Sequence, residues 1–173
     1  MKVKAALLVG AIALAAAPVA VAQNWQRIGT NLIGFQEVPA ISTTGNGTFD
    51  AKISADETEI EWTLSYSDLE GTVLQAHIHF GQLSVNGGIS AFLCANPPIV
   101  PPAGTQACPT PSGTVSGTIT AANVIGPAGQ GIAATQLAEL IRAIRAGATY
   151  ANVHSTTWPG GEIRGQLDAG HSH

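Results

Sequence analysis

Hydrophobic and polar residues alternate along most of the chain, in short segments separated by glycine, asparagine and proline. The clearest segment is 59–66, where large apolar residues occupy every second position: Ile60, Trp62, Leu64 and Tyr66. A period of two is that of a β-strand with one buried face. The same pattern predicts strands at residues 47–54, 73–80, 88–93, 113–120, 149–154 and 162–167. Short strands so spaced predict a mostly β fold, an antiparallel β-sandwich or barrel.

A single helix interrupts this pattern over residues 136–146. Its apolar residues fall at the i, i+3, i+4 and i+7 positions of a helix with one buried face: Leu137, Leu140, Ile141 and Ile144. Thr135 is the predicted N-cap, and Gly147 is the predicted C-terminal stop. We expect this helix to cover one end of the sheet.

The N-terminus has the pattern of a secretory signal peptide. Lys2 and Lys4 precede an apolar run over residues 5–21, which ends in the small-residue sequence Ala20-Val21-Ala22. This predicts a signal peptide over residues 1–22, a single domain over 23–173, and export to the periplasm or the extracellular space. A membrane anchor is not expected, because a polar segment follows directly and no later stretch is long and apolar enough to span a bilayer.

The charge of the chain limits the classes of partner that it is expected to bind. Seven basic residues stand against eleven acidic ones, and two of the basic residues, Lys2 and Lys4, lie in the predicted signal peptide. Nucleic acids and anionic lipids both require a basic surface. Neither is therefore an expected partner, and the sequence leaves formation of a homo-oligomer open.

The two cysteines, Cys94 and Cys108, bracket a proline-rich segment with no regular pattern. An even number of cysteines in a chain predicted to be exported favours a disulfide over free thiols. We expect a Cys94–Cys108 bond, and a loop of that length would gain on the order of 3 kcal/mol in stability from it.

Three histidines are candidates for a metal site. In the strand 73–80, His77 and His79 lie two residues apart, so both point away from the face that carries Ala76 and Ile78. His154 points away from the core in the strand 149–154, and it joins the pair if the two strands are neighbours. Three neutral imidazoles suit copper or zinc. Copper is the preferred hypothesis and zinc the alternative, and paired cysteines are excluded as ligands.

Other polar residues are candidates around this site. Arg164 falls on the same face as His154 if the strand 162–167 is the next neighbour. Glu37 and Glu162 are candidate carboxylates for orienting a ligand imidazole, although a turn residue before Pro39 is the plainer interpretation of Glu37. His171 and His173 form a second pair near the C-terminus, which fits a tail that either binds metal weakly or has no role.

Several ordered motifs resemble one family, the CHRD domain named from chordin. They lie within about residues 30–168 and are Gly34-Phe35-Gln36-Glu37-Val38-Pro39, Ala76-His77-Ile78-His79, the helix with Gly147, Tyr150-Ala151-Asn152-Val153-His154 and Pro159-Gly160-Gly161-Glu162-Ile163-Arg164-Gly165. The resemblance implies an extracellular, β-rich domain and no single activity.

A weaker likeness connects His77-Ile78-His79-Phe80-Gly81 with the histidine strand of copper superoxide dismutases. It implies copper ligation by His77, His79 and His154 and guidance of the superoxide anion by Arg164. The chain has no evident bridging histidine or zinc-binding loop, so at most a copper-only site is implied. Three hypotheses follow: a copper protein with dismutase-like redox activity, a metal carrier without turnover, and a protein-binding module whose histidines are surface residues.

Overall fold

The computed structural model describes residues 25–168. Within that range the chain forms eight β-strands and one α-helix. The elements are β1 (Gln26–Ile33), β2 (Asn46–Ile53), β3 (Glu59–Ser67), β4 (Val73–Phe80), β5 (Gly88–Ala95), β6 (Gly113–Thr120), α1 (Leu137–Arg145), β7 (Thr149–Ser155) and β8 (Ile163–Gln166). The predicted signal peptide, His171 and His173 lie outside the described residues.

The eight strands form one antiparallel sheet in the order β5-β4-β7-β8-β1-β2-β3-β6. The sheet curls until its two edge strands approach each other. Gln106 spans the gap, since its Nε2 lies 3.3 Å from the Leu93 carbonyl oxygen of β5 and 3.0 Å from that of Ser116 in β6. The predicted mostly β antiparallel fold is confirmed as a nearly closed barrel.

The barrel encloses the inward residues of the alternating segments. Ile60, Leu64 and Ile78 are fully buried there, with the apolar face of α1 packed against the same core. The helix ends just before Gly147, the predicted stop, which has φ +64°. The N–H groups of Gly147 and Ala148 bond to the carbonyl oxygens of Ile144 and Ala143, which is the Schellman arrangement.

One predicted detail of the fold was wrong, and one strand was missed. The helix N-cap is Gln136, not Thr135. Thr135 has φ +69°, which is incompatible with the extended conformation of an N-cap residue. Strand β1 was not predicted at all, because Thr30 lies between Ile28 and Leu32 on the same face and interrupts the apolar pattern.

The predicted disulfide is confirmed. Cys94, in β5, is bonded to Cys108, in the loop that leads to β6. Asn96 reinforces the loop from inside, because its Nδ2 donates to the Val73 and Cys108 carbonyl oxygens. In residues 25–168, α1 is too short to cross a membrane, and no other helix could do so either.

Candidate metal centre

The sheet brings the three candidate histidines together. Strand β7 lies between β4 and β8, as the sequence argument required. Across β4 and β7, His77 pairs with Asn152, and His154 pairs with Gln75 one step along the same face. One ligand nitrogen from each of His77, His79 and His154 can be chosen so that all three lie within 4.8 Å of one another.

The histidine face points away from the barrel core, yet it is buried. His77, His79 and His154 are 0%, 8% and 7% exposed. Three neighbouring elements cover them: the Phe92 ring packs edge-on against His77 at 4.4 Å, the β4–β5 loop reaches His79, and the β7–β8 turn reaches His154. The cluster is therefore a buried polar region on the outer side of the sheet, separate from the barrel core.

The pairing of β4 with β5 is irregular at the histidines. The register shifts between Ala76 and His77 and again between Ile78 and His79. Bulges of this kind re-aim side chains and are common beside functional sites. Here they occur at the two histidines of the strand and nowhere else in that pairing.

Backbone carbonyls fix the orientation of two of the rings. Nδ1 of His79 lies 2.9 Å from the Gly87 oxygen, and Nδ1 of His154 lies 3.0 Å from the Pro159 oxygen. A carbonyl oxygen only accepts, so each Nδ1 carries the proton and each Nε2 presents a lone pair. A ring held in this way is a preorganised metal ligand.

Three ring nitrogens of the cluster are buried without a hydrogen-bond partner: Nδ1 and Nε2 of His77 and Nε2 of His79. Burying such a group without a partner costs about 1–3 kcal/mol. Unpartnered nitrogens of this kind, close to one another, are suitable donors for a metal ion. These residues can therefore hold a metal ion.

The environment keeps the imidazoles uncharged. The pKa of His77 is lowered to about 2, mainly by burial and also by the neighbouring His154 and His79. Burial also lowers the pKa of His79 to about 4, although its bond to Gly87 opposes the shift. The pKa of His154 is lowered by burial as well. Neutral imidazole is the form that binds metals.

The ligand nitrogens of the cluster are farther apart than they would be around a bound ion. A tetrahedral ion with bonds of about 2.0–2.1 Å separates its donors by roughly 3.3 Å. Separations of up to 4.8 Å mean that the rings must move together on binding. His77, which no hydrogen bond holds, is the ring with the most freedom to do so.

Arg164 lies beside the cluster in the interior, with 1% exposure. It pairs with Asn152 across β7 and β8. Its guanidinium donates to the side-chain oxygen of Asn86 and to the carbonyl oxygens of Gln82 and Val85, at 3.2, 3.3 and 2.9 Å. These bonds hold the β4–β5 loop, which supplies the Gly87 oxygen to His79.

The two candidate carboxylates occupy different places. Glu37 is buried against Gly161, and burial raises its pKa to about 7 while the charge of Arg164 and the Asn152 amide oppose the shift. Glu162 is fully buried, and its Oε1 accepts from the Thr43 hydroxyl at 2.7 Å and from the Glu70 N–H at 2.8 Å. Glu162 connects loops through these bonds, whereas Glu37 lies against Gly161 in the β7–β8 turn.

The family model of the CHRD domain matches residues 28–167. The chain belongs to the CHRD family. No curated protein and no solved structure shows a significant match. The three histidines, Arg164 and both carboxylates lie inside the matched segment, so the candidate centre falls within the CHRD domain of this chain.

Two residues of the centre were missed in the sequence. Tyr150 stacks on His79 with a centroid separation of 4.8 Å and an angle of 2°. Asn152 lies 3.1 Å from His154. Both share the face of β7 with His154, so the alternation over residues 149–154 already contained the signal.

Proposed function

We propose that this CHRD-domain protein is exported and binds one copper ion through His77, His79 and His154. The observation that carries the proposal is the set of unpartnered ring nitrogens on His77 and His79, buried beside the oriented Nε2 of His154. In a cluster with a purely structural role, these nitrogens would have hydrogen-bond partners. The close packing of the rings also counts against a module whose histidines are separate surface residues.

Copper is preferred over zinc on ligand chemistry. Imidazole nitrogens bind both ions, and divalent copper binds more tightly than zinc at a given nitrogen site. The cysteines are held in a disulfide and offer no thiolate. Export is supported by that disulfide and by the apolar leader over residues 5–21.

The burial of the ligands supports a role as a copper carrier or store. Exposures of 8% or less leave little room for a substrate at the metal. Superoxide dismutation is the second candidate, because the Arg164 guanidinium stacks on the Tyr150 ring, which in turn stacks on His79. In that reaction copper would exchange one electron at a time with superoxide, and Arg164 would draw the anion towards it.

The test is to recover the protein from the export fraction of cells supplied with equal copper and zinc, and to measure its metal content. One copper per chain is expected. Zinc in place of copper would contradict the choice of metal, and a protein that carries no metal and takes up neither ion would contradict the site. Superoxide decay followed by stopped flow on the copper-loaded protein then separates a dismutase from a carrier.

A further inference from the structure

Asn152 occupies the centre of the outer face between the metal cluster and Arg164. In the sheet it pairs with His77 on one side and with Arg164 on the other. Its side chain is 3% exposed. A buried amide at this position must direct its oxygen and its NH₂ group at particular neighbours.

The side-chain oxygen of Asn152 faces the lone pair of a histidine nitrogen. Oδ1 lies 3.1 Å from Nε2 of His154. Because Nδ1 of that ring donates to the Pro159 carbonyl, Nε2 of the neutral ring is an acceptor. Two acceptors at this distance do not form a hydrogen bond. The contact is favourable only if a proton or a cation is shared by the two atoms.

The structure places the amide oxygen of Asn152, and not its NH₂ group, at this contact. The oxygen is thus directed into the histidine cluster.

The distance itself is that of two ligands on one ion. Metal–nitrogen and metal–oxygen bonds of about 2.0–2.2 Å place adjacent donors roughly 2.9–3.4 Å apart, depending on the coordination geometry. The 3.1 Å between Oδ1 and Nε2 falls in this range. This pair is already at the bound spacing, whereas the histidines alone are up to 4.8 Å apart.

We propose that Oδ1 of Asn152 is a fourth ligand of the metal centre, beside Nε2 of His154. The inference rests on the proposed function and extends it to a ligand set of three imidazole nitrogens and one amide oxygen. A carbonyl-type oxygen is a harder donor than nitrogen or sulfur. The set therefore favours a divalent ion, Cu²⁺ in the proposed protein, over Cu⁺.

The competing arrangement has the amide turned by 180°, so that Nδ2 donates to Nε2 of His154. Asn152 would then block one metal ligand, and its removal would free that nitrogen. The two arrangements predict opposite effects of removing the amide on copper affinity.

The experiment compares Cu²⁺ binding by the wild type, Asn152→Leu and Asn152→Asp, with Gln166→Ala as a matched loss of a half-buried amide on the same face. The ligand role predicts a loss of about 10- to 100-fold in affinity for Asn152→Leu. It also predicts retained binding with an altered EPR spectrum for Asn152→Asp, and wild-type affinity for Gln166→Ala. Unchanged or tighter binding by Asn152→Leu, with an unchanged spectrum, would overturn it.

A measurement on the wild type covers the case in which both Asn152 variants fail to fold. In ¹⁷O-enriched water, the EPR lines of the copper-loaded protein are expected to remain unbroadened, because the oxygen ligand comes from the chain. Broadening would show a water in that position and overturn the inference while leaving the copper site intact. A wild type that binds no copper would defeat the proposed function and this inference together.

Discussion

The guanidinium carbon of Arg164 lies 3.4 Å from the centre of the Tyr150 ring. The same ring stacks on His79, and its hydroxyl accepts from the Gly87 N–H at 3.2 Å. Gly87 in turn accepts from His79. Arg164 is thus connected to a histidine of the metal centre through an aromatic ring and through the loop that it holds.

We expect Arg164→Gln to lower the free energy of unfolding by about 2–4 kcal/mol, because it removes several charge-assisted hydrogen bonds and leaves Glu37 without a nearby cation. Chemical denaturation of the metal-free protein measures the change. The matched control is Arg142→Gln, whose side chain is 74% exposed and pairs only with Glu139 among the described contacts. Its expected change is below about 1 kcal/mol.

Arg164→Lys separates the two roles of this residue. Lysine keeps the charge but loses the planar fork and the stacking on Tyr150. If Arg164 acts by holding the loop, the lysine variant should be destabilised almost as much as Arg164→Gln. A lysine variant with wild-type stability would contradict that account.

His77→Leu should bind no copper and yet be more stable than the metal-free wild type. Leucine has a similar volume and removes two buried nitrogens that have no partner, so we expect a gain of about 1 kcal/mol in the free energy of unfolding. His154→Leu is the comparison, since it also breaks the bond to Pro159 and should be destabilised by about 1–2 kcal/mol. Equal losses in both variants would argue against a site maintained for a ligand.

The metal-free protein should lose stability in acid. The pKa values of His77 and His79 are lowered by burial to about 2 and about 4, so the folded state stays neutral while the unfolded state takes up protons below pH 6.5. Stability is therefore complete above pH 6.5 and falls as the pH drops towards 4. Each such histidine lowers the free energy of unfolding by about 1.4 kcal/mol for each pH unit of this drop.

Unfolding titrations between pH 7 and pH 4 on the wild type and on His77→Leu measure this slope. The free energy of unfolding of the variant should depend less steeply on pH, because about one proton fewer is taken up on unfolding. Identical slopes would mean that His77 is not buried in the neutral form.

Much of the barrel was predictable from the sequence, because its strands present one apolar face and one polar face. The segments 59–66, 73–80 and 113–120 were placed to within a residue for this reason. The alternation also put His77, His79 and His154 on outward faces. It could not show that loops bury this outer face, because loop packing depends on distant contacts such as the bond from Asn86 Nδ2 to the Val38 carbonyl oxygen.

The order of the strands in the sheet could likewise not be predicted from the local sequence pattern. That β7 lies between β4 and β8 follows from the folding of the whole sheet, and it decides that Asn152, rather than His154, is opposite Arg164. Tyr150 and Asn152 become members of the site only once those neighbours are known.

Gly161→Ala should disturb the centre from the β7–β8 turn. Gly161 has φ +130°, and a Cβ there would lie 2.5 Å from Oε1 of Glu37. We expect a destabilisation of about 1–3 kcal/mol and weaker copper binding, since the β7–β8 turn, which supplies the Pro159 oxygen to His154, would have to shift. Gly160→Ala is the control, because nothing lies within 4 Å of its Cβ position. Calorimetry on both variants checks this, and similar behaviour of the two would contradict it.

The most direct test of the central claim is a Cu²⁺ titration of the metal-free protein followed by EPR, on the wild type and on His77→Leu, His79→Leu and His154→Leu. The account predicts one copper per wild-type chain, coupled to imidazole nitrogens, and loss of that signal in each variant. A copper signal that persists unchanged in all three variants would contradict the three-histidine site.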